Sequence, residues 1–243
     1  MKKVLFSIGV FIVLFSFSLN AQSIKLGAGA GYLVPSGDYG GETPGFYSGT
    51  EYGMSSGFNV HAKARLGLVF MNVFGELGYS SFSGEGNAEE NRGTINISNS
   101  ILSLKIGPEF QLSLPASPVT PYLQGFASYN SFSGTVDIKG VSSVPSGEYD
   151  IEGVSRIGLG LGAGVMFSLA GLNLDLNVQY HLMNIGGKEY SVENPTSHDR
   201  LDNYTNLNDD KDPLYSAGDD EHIIGESRSI NAIELKLSVL FGL

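Results

Sequence analysis

Eight stretches of this chain alternate apolar with polar residues, and they end in two ways. Four reach a tyrosine just before a polar segment, at Tyr32, Tyr79, Tyr129 and Tyr180, and four end on a phenylalanine, at Phe70, Phe110, Phe167 and Phe241. A period of two marks a strand with one face in apolar surroundings. Taken in chain order, the strands carry Tyr at one rim and Phe at the other, which writes the two aromatic girdles of a barrel that crosses a bilayer. The expected fold is therefore all-β: an eight-stranded antiparallel up-and-down transmembrane β-barrel with short periplasmic turns and long extracellular loops.

The N-terminus has a different character. Met1-Lys2-Lys3, an apolar run from Val4 to Leu19 and then Asn20-Ala21-Gln22 read as a secretory signal peptide cut after Ala21. Residues 1–21 are thus expected to be removed and 22–243 to form one barrel domain. The chain has no cysteine, which excludes a lipid-anchored cysteine and a disulfide scaffold. Beyond the leader no apolar run is long enough for a helical span, so a membrane crossing requires a closed barrel. The formal charge is −11, and without Lys2 and Lys3 it is −13, from 12 basic against 25 acidic residues. That balance argues against nucleic acid as a partner.

Strand by strand, the alternation places Leu26, Ala28, Ala30 and Tyr32 on one face of the first stretch, with Gly27, Gly29 and Gly31 on the other. The second sets Val60, Ala62 and Ala64 against His61, Lys63 and Arg65, the third Leu77 and Tyr79 against Phe74 and Glu76, and the fourth Leu104 and Ile106 against Lys105 and Glu109. Ile95, Ile97 and Ile101 fall out of phase with the fourth, which suggests a bulge or a strand start near Ser100. In the fifth, Leu123, Ala127 and Tyr129 oppose Gln124, Phe126, Ser128 and Asn130. The sixth and seventh form the clearest hairpin, Ile157 to Leu169 and Leu172 to Leu182 across Ala170-Gly171. The eighth alternates from Ile233 to Leu243. Twelve steps from Ile157 to Leu169, tilted by ~40°, give an apolar face roughly 30 Å tall, enough for the band of a bacterial outer membrane. Pro35 to Ser55, Gly84 to Gly93, Lys139 to Glu152 and Ile185 to Arg228 read as long loops at one rim.

Period two fits a soluble ligand-binding barrel as well, so the composition of the polar face decides which side faces in. That face carries Gly158, Gly160, Gly162 and Gly164 on strand six and three more glycines on strand one. A row of glycines in a strand leaves room for something else. Counting back from a two-residue turn puts Asn177, Gln179 and His181 opposite Gly164, Gly162 and Gly160. The polar face is therefore the lumen and the apolar face meets lipid.

With these segments in hand the chain resembles the small eight-stranded outer-membrane barrels, the OmpA/OmpX/Opa-like superfamily. The resemblance rests on strand count, loop asymmetry, the glycine alternation from Ile157 to Val165 and the last strand, Ala232 to Leu243. It implies residence in the bacterial outer membrane, contact with lipid and lipopolysaccharide, and recognition of the last strand by the barrel-assembly machinery. It implies no single function, because such barrels serve as anchors, adhesins, narrow channels and occasionally enzymes.

The inward face gathers Lys63, Arg65, Glu76, Lys105, Glu109, Arg156, Asp175, His181, Glu234 and Lys236, with His61 beside them. Mixed charges in a narrow lumen read as a structural plug or a gate, with Glu76 the expected partner of Lys63. No catalytic motif stands out. A lipid A-modifying enzyme would need Ser, His and an acid converging at the outer rim, where His181 lies near the height of Ser80, Ser81 and Ser128. The last loop holds 11 of the 25 acidic residues, including Asp209-Asp210-Lys211-Asp212 and Asp219-Asp220-Glu221, without calcium-loop spacing, and reads as solvated. Tyr39, Phe46, Tyr47 and Tyr52 in the first loop suit contact with an extracellular protein or glycan, or packing on the rim. No cofactor or metal site is expected. The leading functional expectation is non-enzymatic display of surface loops for envelope integrity, adhesion or surface interaction. A small, largely occluded porin-like channel comes next and a lipid A-modifying enzyme third.

Overall fold

The computed structural model describes residues 23–68, 71–89, 92–112, 117–169, 171–192 and 199–242. The expected signal peptide, Val69, Phe70, Ala170, His198 and Leu243 lie outside the described residues. Eight strands follow in order: β1 Ile24–Ser36, β2 Ser56–Gly67, β3 Asn72–Glu89, β4 Arg92–Gln111, β5 Val119–Lys139, β6 Gly147–Leu169, β7 Leu172–Gly186 and β8 Asn231–Gly242. Each pairs antiparallel with its neighbours and β8 closes on β1, Leu26 opposite Phe241. Around the lower part of the barrel closure leaves no strand edge unpaired, which the hydrocarbon core demands of any sheet that crosses it. The β6–β7 hairpin pairs Leu169 with Leu172 and Gly160, Gly162 and Gly164 with His181, Gln179 and Asn177. Its turn uses Gly171 at φ +92°, a conformation that favours glycine.

The apolar face points outward. Tyr32, Tyr79, Tyr129, Tyr180, Phe110, Phe167 and Phe241 are exposed on the barrel wall together with Leu77, Leu104, Ile106, Leu161 and Leu176. No helix among the described residues is long and apolar enough to cross a membrane.

Two of the four expected outer loops are shorter than expected. The described residues of Gly84 to Gly93 are all strand, and Lys139 to Glu152 is loop only over residues 140–146: β3 and β4 pair as far as Glu89 with Arg92, and β5 and β6 as far as Ile138 with Gly147. Four strands thus rise past the Tyr girdle as a continuous sheet. The expected bulge near Ser100 is also absent, since β4 keeps one register with β3 from Asn72 to Asn87 and with β5 from Thr94 to Gln111. Ile95, Ile97 and Ile101 share the inward face with Ser103 and Lys105 and are fully buried. What changes near Ser100 is the environment of each face. Below it the lumen is polar and the outside apolar; above it the lumen is apolar and the outside is Ser100, Ser98, Asn96 and Thr94. The strand continues, and only the solvent outside it turns from lipid to water.

The two remaining loops fold over this extension. The first holds a 3-10 turn at Gly37–Tyr39 and a short helix at Thr43–Tyr47, and the last a helical turn at Asp202–Thr205. Tyr39, Phe46, Tyr52, Met54, Tyr204 and Leu207 from the loops pack with Phe82, Ile95, Ile97, Phe132, Val136 and Met183 from the strands in one apolar cluster. Tyr39 meets Phe82 edge-on at 4.9 Å and Phe46 meets Tyr204 at 5.3 Å between ring centroids. Of the four first-loop aromatics, Tyr39, Phe46 and Tyr52 are buried, which places them on the rim and removes them from the contact surface.

Candidate functional site

The glycine rows make the lumen possible, but their space is filled mainly from the other neighbour. A Cβ at Gly160 would run into the Phe126 ring, and one at Gly164 into the Tyr122 ring. Both aromatics come from β5, in register with those glycines. Over Gly162 the flanking side chains are Gln179 and Gln124, at 3.0 and 3.2 Å from the same hypothetical atom. The alternation by itself assigns this filling to Asn177, Gln179 and His181 alone. Tyr122 escapes that reading, although it lies two residues before Gln124 and so in phase with the lumen.

Against these rings sit the cations. Lys63 Nζ lies 5.3 Å from the Phe74 ring centre, Arg65 5.1 Å from that of Tyr122 and Lys105 5.1 Å from that of Phe126. Cation–π contact and ion pairing together replace the lost hydration of these groups. Lys63, Arg65, Lys105 and Lys236 face Glu76, Glu109, Asp175 and Glu234, all eight nearly inaccessible to solvent. Four positive charges meet four negative ones, so the buried set is neutral.

The pairs fall in two groups. Toward the periplasmic end, Asp175 accepts from Lys63 at 2.7 Å, Arg65 at 3.1 Å and the Tyr122 hydroxyl at 2.5 Å. Arg65 also reaches Glu109 at 2.6 Å, and Glu109 takes further hydrogen bonds from Asn72 and Gln111. Higher up, Lys105 pairs with Glu234 at 2.6 Å and Lys236 with Glu76 at 2.5 Å, while Lys236 and Glu234 lie 3.3 Å apart and Lys105 and Glu76 3.6 Å. Lys63 and Glu76 are register partners, yet the Lys63 ammonium crosses the lumen to Asp175. The expected Lys63–Glu76 pair is thereby replaced by Lys63–Asp175 and Lys236–Glu76. Neighbouring strands fix which backbones face each other, and long side chains in a narrow bore reach past them.

Arg156 belongs elsewhere. It stands at the top of the wall and grips Asp209 of the last loop, with Nε–Oδ2 at 2.9 Å and Nη2–Oδ1 at 2.8 Å, and touches Glu189 at 3.1 Å. Asn184 donates to the same Asp209 carboxylate at 2.9 Å, and Arg228 stacks over Tyr52 at 4.2 Å. Asp209 and Asp212 are buried, so part of the run read as a solvated acidic loop is a latch that holds the loop down. Burial raises the phenol pKa values of Tyr39, Tyr52 and Tyr204 in this closure.

One arrangement has the form of a nucleophile relay. Ser128 Oγ lies 2.8 Å from His181 Nε2, and His181 Nδ1 lies 2.8 Å from Glu234. Ser80 and Ser81 are not in it; Ser80 hydrogen-bonds to Asn59, which contacts His61 at 2.7 Å, and His61 reaches Ser238 at 2.8 Å. Both chains face the packed lumen, away from lipid, with Phe126 edge-on to His181 at 5.2 Å. Among the described residues, no group of three or more His, Cys, Asp or Glu is arranged to hold a metal ion.

Similar solved structures include the Neisserial surface protein A (15% identity, TM-score 0.45, covering 90% of this chain and 95% of that one). A major outer membrane protein from Thermus thermophilus matches at 17% identity and TM-score 0.47 over 92% of this chain and 100% of that one. Ail, the attachment invasion locus protein of Yersinia pestis, solved with the heparin analogue sucrose octasulfate, matches at 15% identity and TM-score 0.40 over 91% and 97%. No curated protein matches the chain. Residues 9–208 match the outer membrane protein beta-barrel domain, and the chain belongs to that family, an integral barrel of the bacterial outer membrane.

Proposed function

We propose that this barrel is a non-enzymatic display scaffold whose work is done by its outer end, in adhesion, another surface interaction or envelope integrity. The observation that carries the reading is the double closure of the bore. A neutral set of buried ion pairs fills the membrane-spanning part, and an apolar cluster clamped by Arg156 and Asp209 fills the part above it. Transport needs an open bore and catalysis needs an accessible nucleophile; Ser128 is enclosed and Glu234 is already engaged by two lysines.

The outer surface, by contrast, offers concave sites. One groove of about 750 Å³ runs between the first loop and the tip of β3, lined by Glu42, Pro44, Glu85 and Glu89. Another of about 620 Å³ lies between β6 and the last loop, lined by Tyr149, Asp150, Glu152 and Asp202. Their carboxylates favour a partner that presents basic groups or hydrogen-bond donors, such as an extracellular protein or an amino sugar. The test is retention of intact cells by arrays of extracellular proteins and glycans, with and without the barrel. A variant carrying Glu85→Gln, Glu89→Gln and Asp150→Asn should lose retention while the barrel stays resistant to detergent. Equal retention with and without the wild-type protein would overturn the reading.

A further inference from the structure

The last loop buries a second carboxylate near the Asp209 latch, and its partners lie away from Arg156. Asp212 is 1% exposed; its backbone N–H donates to the Ile224 carbonyl, and its Oδ1 accepts from the Leu214 N–H at 2.8 Å. Its Oδ2 accepts from His222 Nδ1 at 2.7 Å. A carboxylate only accepts, so Nδ1 carries a proton and the imidazole is held in one orientation. Tyr190 joins them from the other limb of the loop, its hydroxyl 3.1 Å from Asn203 Oδ1. Burial, the Asp212 carboxylate and Asp202 together raise the pKa of its phenol. Around these polar groups the walls are apolar: among the described residues, Tyr190, Val192, Pro213 and Leu214 enclose with Asp212 and His222 a pocket of about 390 Å³. It shares no described lining residue with either of the two acidic grooves.

Size and charge select the occupant. A volume near the lower end of the range of small-molecule sites, with apolar walls and a few convergent polar groups, suits a compact organic molecule better than a protein surface. Leu214 is 65% exposed in a loop rich in carboxylates, so its side chain gains from being covered. Both charged groups that act on the Tyr190 phenol are carboxylates, and Asp210 and Glu221 flank the lining residues in the sequence. Lys211, between Asp210 and Asp212, lies over the Tyr215 ring at 5.5 Å. An organic anion would be desolvated here against like charge, and a plain hydrocarbon would leave the polar floor without a partner. We infer that this pocket binds a small primary amine with an aromatic or aliphatic body, its ammonium toward Asp212 and its body against Val192, Pro213 and Leu214. This goes beyond the display reading, since both the ligand and the site are separate from the two grooves.

The chain has no tryptophan, so indole fluorescence excited beyond the tyrosine band reports an added indole alone. Tryptamine, tryptophol and indole-3-propionate share the ring and differ in charge; each is titrated with the folded barrel in neutral-detergent micelles, with protein-free micelles as the reference. Tryptamine emission should show a saturable blue shift, tryptophol should bind at least about tenfold more weakly, and indole-3-propionate should not bind. Leu214→Lys, at an exposed position, puts a cation at the mouth and should abolish the tryptamine shift. Asp212→Asn should weaken tryptamine binding about tenfold; heat-modifiable migration and protease protection of the last loop verify that each variant has folded. No saturable shift in the wild type, equal affinity for the three indoles, or an undiminished shift in Leu214→Lys overturns the inference. Cell retention through Glu85, Glu89 and Asp150 is read separately, so the failure of one reading leaves the other standing.

Discussion

The barrel below Ser100 and the extension above it are made of the same strands and solve opposite problems. Below, the outside is hydrocarbon and the bore takes the polar groups, so Lys63, Asp175, Arg65 and Glu109 must satisfy one another. Above, the outside is water and the bore becomes an ordinary apolar core of Ile95, Ile97, Phe132 and Tyr39. Each strand keeps its alternation through the boundary and exchanges the character of its two faces. The difference teaches that the medium outside, more than the strand itself, sets which residues go in.

The largest expected separation between the regions comes from their charges. Asp175→Asn leaves Lys63 and Arg65 short of a carboxylate in a dry bore and should cost about 3–5 kcal/mol of barrel stability, read from urea unfolding in detergent. Asp209→Asn removes the partner of Arg156 in the outer closure; the barrel should keep its heat-modifiable migration while protease cuts the last loop faster. If Asp209→Asn unfolds the whole barrel, the two regions are one cooperative unit.

Next in size is the outward face of β4, where the boundary can be crossed on one strand. Leu104→Arg puts a charge in the apolar band and should cost ~2–4 kcal/mol, whereas Asn96→Arg, above it on the same face, should cost at most ~1 kcal/mol. Equal losses would mean that the bilayer does not end between these residues.

A smaller effect concerns pH. The phenols of Tyr39, Tyr52 and Tyr204 have pKa values raised by burial in the outer closure. Their contribution is full below the pKa of about 10 of an unfolded tyrosine and is lost as pH rises through the higher folded values. Protease sensitivity of the first and last loops should therefore increase above about pH 10 before the barrel itself unfolds. Loops that stay protected until the barrel melts would contradict this.

The smallest expected effect is at Gln124, whose two amide atoms have no hydrogen-bond partner among the described residues. Gln124→Met keeps the volume and removes unpaired polarity, so stability should change by less than about 1 kcal/mol or rise. A larger loss would show that the amide is engaged.

Much of the lower region is legible in the sequence because period two determines faces, and a two-residue turn at Ala170-Gly171 determines register. That reasoning leads to Gly160 opposite His181 and to the outward Tyr79, Tyr129, Phe110 and Phe167. It cannot assign ion-pair partners, because Lys63 reaches Asp175 across the bore at 112 residues' separation. The upper region misleads for a physical reason: Ile95 and Ile97 look out of phase only under the assumption that the outside stays apolar. Asp209 looks like solvated charge because nothing local to it announces Arg156, 53 residues away.

The closed bore is the centre of this account, and planar-bilayer recording tests it most directly. Wild-type protein inserted at neutral pH should show no steady current, with brief openings at most, because Asp175, Glu109, Glu76 and Glu234 are all engaged by cations in the lumen. A stable ohmic conductance from every inserted barrel would contradict it and would put a channel in place of the scaffold.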